Sequence, residues 1–195
     1  MTLTQARITP SKVNANSRDE DLMLAYQQQH PQAFDYLYQR YRQPLFSYLM
    51  RVFNDQSLAE DVYQDIWLTL IKQRQQYQLT GSFRSYLFCL AHTRVMDMWR
   101  RQGRLSLEHS WSLEEHDTTA CAWYEPEAQL AQWHLAQRLA HCLQQLPDEQ
   151  RLIMLLRLEL DTGLSQLAQQ LNIAFETLKS RFRYAQAKIQ RCLGE

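Results

Sequence analysis

Residues 164–184 read LSQLAQQLNIAFETLKSRFRY, and the fold is decided by how this stretch is read. Leu167, Ala168 and Leu171 recur at helical spacing, Asn172 and Ile173 interrupt them as a short turn, and a second helix follows. These are helix-turn-helix proportions. In the second helix Leu178, Phe182, Ala185 and Ile189 stand at spacings of four, three and four, which turns them to one side. Glu176, Lys179, Ser180, Arg183 and Tyr184 then face outward, where cationic and hydroxyl groups reach phosphates and base edges in a major groove. A charged helix face is often no more than solvated, and a helix-turn-helix alone does not separate a repressor from any other regulator.

Upstream of this pair the chain reads as helix throughout. Only 4 Gly and 5 Pro occur in 195 residues, while Leu, Gln, Ala and Arg, which lose little freedom on a helix, are abundant. Residues 1–17 carry no periodic pattern and are expected to be disordered. Ser17 with Glu20, and Ser57 with Glu60, stand at capping-box spacing and predict two helix starts. Between them Pro31 opens a helix rich in core aromatics, among them Phe34, Tyr38 and Tyr41. A fourth helix runs from Phe83 to the basic run Arg100, Arg101 and Arg104; at helical spacing along it, Tyr86, Leu87 and Trp99 read as core. Pro126 and Pro147 open two further helices before the final pair.

Formal charge is zero, with 21 basic and 21 acidic residues, yet the distribution is uneven. Basic residues crowd residues 84–104 and 179–191, whereas 105–128 hold six carboxylates and no Lys or Arg. That acidic stretch is longer than the roughly 2–8 residues that join helices inside a bundle. The expected architecture is all-α, two small helical domains (18–104 and 126–195) joined by a flexible acidic linker at 105–125.

No apolar run reaches the roughly 18 residues of a membrane span, and the N-terminal residues lack the core of a signal peptide, so a cytoplasmic protein is expected. Cys89, Cys121, Cys142 and Cys192 lie far apart, which predicts reduced thiols rather than a disulfide framework. The sets His109, His116, Cys121 and His134, His141, Cys142 lack closed-site metal spacing, so no metal or other cofactor is expected. No phosphate loop, nucleophile elbow or His-Glu-x-x-His motif is present, so no catalytic residues and no small-molecule substrate are expected.

Residues 59–67, AEDVYQDIW, residues 83–101, FRSYLFCLAHTRVMDMWRR, and residues 147–155, PDEQRLIML, together with the terminal helix pair, resemble bacterial sigma factors of the sigma-70 family, extracytoplasmic-function (ECF) group. The resemblance covers about Asp19 to Leu193. It implies that Asp61, Gln64 and Asp65 meet the clamp of core RNA polymerase, polar positions on an otherwise apolar helix. It implies that Arg84, Thr93, Arg94, Arg100 and Arg101 serve the minus-10 element, where bases leave the stack; exposed aromatics near residues 77–83 are expected to stack on them. It implies minus-35 duplex contacts by Thr177, Lys179, Ser180, Arg181, Arg183 and Tyr184. The chain departs from the family's common residues at Thr93, Ala174, Tyr184 and Gln186. Implied partners are core RNA polymerase, promoter DNA and an anti-sigma protein, with no insertion into membrane. The competing reading is a stand-alone helix-turn-helix regulator that binds DNA without polymerase.

Overall fold

The computed structural model describes residues 13–103, 128–160 and 162–194, the first seven of the second span by backbone alone. These residues form eight α-helices and no strand, as the composition predicts. In order they are α1 (Asp19–Gln27), α2 (Pro31–Phe53), α3 (Gln56–Gln73), α4 (Phe83–Arg101), α5 (Ala128–Gln144), α6 (Asp148–Glu159), α7 (Leu164–Leu171) and α8 (Phe175–Gly194), with a 3-10 turn at Arg74–Gln76 after α3. The expected linker, with His109, His116 and Cys121, lies outside the described residues.

Helices α1 to α4 pack around Leu22, Leu37, Leu45, Ile66, Leu70 and Leu87, all fully buried. Aromatic edges interlock between these helices, as where Tyr48 on α2 meets Phe88 on α4 with centroids 5.3 Å apart. Pro44 sits inside α2, where it removes the amide that would bond the Arg40 carbonyl. Gln27 ties the far end of α3 to α1 by donating to the Arg74 and Tyr77 carbonyls, both at 2.8 Å. That tether explains why Tyr77 is buried, at 5% exposure, and Phe83 is wholly covered. Neither is an exposed stacking platform, contrary to the expectation for this loop; Leu79 is its large exposed side chain.

The helix starts are real but capped by other residues than expected. Asp55, not Ser57, is the N-cap of α3, its carboxylate accepting from Leu58 N–H at 3.0 Å. An aspartate two residues earlier caps equally well, which leaves Ser57 inside the helix. Ser17 instead accepts from the Asn14 amide in a turn at residues 14–17, and Glu20 accepts from the Phe83 amide at 3.0 Å, stitching α1 to the head of α4. Residues 13–17 are therefore part of an ordered turn, where a patternless tail was expected.

Helices α5 to α8 bury Leu152, Ile153, Leu155, Leu156, Leu167 and Leu178, which belong to one hydrophobic cluster with the core of α1 to α4. Cys142 on α5 and Cys192 on α8 form a disulfide there, correcting the expectation of free thiols. Their separation of 50 residues carries no spacing signal; only the packing of α5 on α8 brings them together.

Candidate functional site

The helix-turn-helix is built by its turn. Asn172 adopts the left-handed conformation at φ 53°, and the Ile173 and Asn172 amides donate back to the Ala168 and Gln169 carbonyls at 3.0 and 3.2 Å. This is the Schellman closure, with Asn in the position that usually requires Gly. It ends α7 sharply and sets the direction of α8. As the spacing predicts, Leu178 and Ala185 are fully buried and Ile189 is 9% exposed, with Phe182 packed beside them.

On the outer face Thr177, Lys179, Arg183 and Tyr184 are exposed. Arg183 stacks over the Tyr184 ring at 5.4 Å, and Lys179 lies over Phe175 at 5.6 Å, so both cations are steadied at the surface. Ser180 donates to the Thr177 carbonyl at 2.9 Å. Arg181 points elsewhere: its guanidinium meets the Glu149 carboxylate of α6 at 2.6 Å, on the side of α8 that faces the protein.

On α3, Asp61, Gln64 and Asp65 are all exposed while Val62 and Ile66 are buried, so one helix face is open to solvent. Beside Gln64 an open groove between α2 and α3 is lined by Tyr38, Arg42, Phe46, Glu60 and Tyr63. Nothing in the spacing of the α2 aromatics distinguished these half-buried ones from core.

The α4 residues divide. Thr93, Arg100 and Arg101 are exposed, with Arg100 paired to Asp97 at 2.6 Å. Arg94 turns inward to Asp65 at 3.6 Å and Asp97 at 3.5 Å. Arg84 is stacked over the Phe88 ring at 5.0 Å and bound to Glu159 of α6. Thus α3 and α4 present one continuous surface, α8 another, and Arg84 and Arg181 face the rest of the chain.

Residues 37–105 match the family model for sigma-70 region 2, a span that includes α3 and α4 and every expected polymerase and minus-10 residue. A protein described as ECF RNA polymerase sigma factor SigK, from Mycolicibacterium vanbaalenii, is 29% identical over 172 residues, covering 86% of this chain and 85% of that protein. The RNA polymerase sigma factor YlaC of Bacillus subtilis is 20% identical, covering 83% and 92%. Among solved structures, CnrH in complex with the cytosolic domain of CnrY superposes with a TM-score of 0.60 at 19% identity, over 93% of this chain and 98% of that one. The sigma factor RpoE of Bartonella quintana, in complex with the anti-sigma factor NepR, gives 0.58 at 16%, over 83% and 96%. These two share the fold. With a region-2 match across α3 and α4 and relatives of one kind aligned along most of both chains, this chain is similar to sigma factors of the sigma-70 family, extracytoplasmic-function group.

Proposed function

We propose that this chain is a promoter-specificity subunit: it binds core RNA polymerase, directs it to promoter DNA and does no covalent chemistry itself. The observation that carries this reading is the coexistence on one chain of an exposed carboxylate-bearing face on α3 and a cation-bearing outer face on α8. A stand-alone regulator has use for the second face and none for the first.

Asp61, Gln64 and Asp65 are assigned to the polymerase clamp, and Thr93, Arg94, Arg100 and Arg101 to the strand opened at the minus-10 element. Arg84 joins them once freed from Glu159. Thr177, Lys179, Ser180, Arg183 and Tyr184 are assigned to minus-35 duplex, with Arg181 as a support that braces α8 against α6. Residues 18–104 and 126–195 act as two DNA-engaging units, each weak alone because the chain has no net charge, and made effective when polymerase fixes their spacing. An anti-sigma protein is a further partner. No helix among the described residues is long and apolar enough to cross a membrane, which accords with work in the cytoplasm.

The test is transcription of a genomic fragment library by core RNA polymerase with and without the protein, with the Asp61→Ala, Gln64→Ala double variant as control. New discrete start sites that vanish with the variant support the assignment. Duplex binding by the protein alone, without new start sites, overturns it.

A further inference from the structure

Glu176 is the one acid in α8, and the assignment of Thr177, Lys179, Ser180, Arg183 and Tyr184 to duplex leaves it without a role. It stands in the first turn with its side chain 80% exposed, and among the described residues its partner is Lys179, at a loose 3.9 Å. Counting about 100° per residue, Glu176, Ser180 and Arg183 at i, i+4 and i+7 form one row, and that row points away from the buried Leu178, Ala185 and Ile189. In a helix-turn-helix, residues near the start of the second helix are the ones that reach base edges. The first turn of α8 therefore presents a carboxylate where bases are read. An acid here also complements the helix dipole. The dipole accounts for the height of Glu176 on the helix and leaves its place on the outward row unexplained. On a surface that meets DNA a carboxylate is repelled by the same phosphates that attract Lys179 and Arg183, so its presence needs a compensating contact.

Resting on the promoter reading of α8, we propose that Glu176 reads a cytosine in the major groove of the minus-35 duplex by accepting from its exocyclic N4 amine. An ionised carboxylate can only accept, so it fits a base edge that offers a donor with no acceptor beside it. Guanine presents N7 and O6 and thymine O4, all acceptors, while adenine sets its N6 amine next to the N7 acceptor. Cytosine presents the amine alone. Where no amine meets it, the carboxylate is desolvated and unpaired among phosphates, so repulsion from the wrong bases is part of the selection. Lys179 is close enough to offset the charge in the free chain and loosely enough held to turn to a phosphate in the complex.

The test uses the holoenzyme formed with core RNA polymerase on a promoter library randomised across the minus-35 region, with the resulting transcripts sequenced. The wild type is expected to prefer cytosine on one strand at one position by about tenfold, the scale of one well-made base contact. The amide of Glu176→Gln both accepts and donates, which suits adenine N6 and N7, so this variant is expected to prefer adenine at the same position. Glu176→Ala is expected to lose the preference there and keep it elsewhere. A purely structural role would change transcription evenly across sequences without changing the preferred base, and that result overturns the assignment. So does a wild-type preference that both variants retain. The same library is also selected by the protein alone in a mobility-shift experiment. A cytosine there that depends on Glu176, without polymerase-dependent transcripts, counts against the promoter reading alone; no such dependence in either selection overturns the assignment of Glu176.

Discussion

Asp65 on α3 and Arg94 on α4 face each other at 3.6 Å, so a carboxylate assigned to polymerase is in contact with a guanidinium assigned to the opened strand. Arg94 is only 21% exposed and also reaches Asp97, which fixes it between two acids. On the proposed assignment, polymerase engaging Asp65 would loosen one of the two restraints on Arg94 and so couple the two contacts through a single ion pair.

Substitution at Asp65 is accordingly expected to behave differently from substitution at its neighbours. Asp61→Ala and Gln64→Ala remove exposed side chains and should weaken polymerase binding while shifting stability by no more than about 0.5 kcal/mol. Asp65→Ala should weaken polymerase binding and also change the rate of promoter opening, because Arg94 is released. Equilibrium binding to core polymerase, measured beside permanganate footprinting of the opened strand, separates the effects. If all three variants open DNA equally fast once polymerase is saturated, the pair does not couple the two contacts.

His92 makes stability depend on pH. Burial, with the nearby Arg181 cation second, pushes its imidazole down from 6.5 to about 4. Above pH 6.5 it is neutral folded or unfolded and contributes nothing. Between 6.5 and about 4 the unfolded chain takes up a proton that the folded chain refuses, so stability falls as pH falls, by at most ~1.4 kcal/mol per pH unit. Below about 4 the loss is complete. Urea denaturation of wild type and His92→Gln between pH 7 and 4 is expected to show the steeper decline in the wild type; parallel curves would mean that His92 titrates normally.

The Cys142–Cys192 bridge closes a 50-residue separation and should restrict the unfolded chain. Its removal, by reductant or by Ala at both positions, is expected to cost about 2–4 kcal/mol, seen as a lower urea midpoint by circular dichroism. An unchanged midpoint would show that the packing of α5 on α8 holds that unit unaided.

What was legible in the sequence was whatever repeats along a helix. The row Leu178, Phe182, Ala185 and Ile189 is inward as its spacing requires, and Trp99 and Leu87 are core. Contacts between distant helices leave no such trace. Glu159 reads as one acid at a helix end, yet it joins residues 108 and 75 positions away. Cys142 and Cys192 are likewise paired only by packing, and Arg181 shares the local composition of Arg183 but turns to Glu149. Caps failed for a smaller reason: Asp55 and Ser57 are both good cap residues, and spacing to Glu60 favoured the one that the chain does not use.

Lys179 and Arg183 give the sharpest prediction for the duplex. Both are exposed on the outer face of α8, each steadied by an aromatic ring, so neither supports the core. Each that meets a phosphate releases a counterion, and its loss should lower the slope of log K against log salt by about 0.9. Lys179→Ala with Arg183→Ala is therefore expected to weaken binding of the polymerase-bound protein to minus-35 duplex and to reduce that slope by about 1 to 2, with the unfolding midpoint unchanged. Arg181→Ala should do the reverse: it breaks the 2.6 Å bond to Glu149, so it should lower stability by about 1 kcal/mol and leave the salt slope nearly as it was. Salt titrations of the two variants side by side decide the matter. A slope lost with Arg181 and kept without Lys179 and Arg183 would mean that α8 meets DNA by its other face, and that the Glu149 bond gives way on binding.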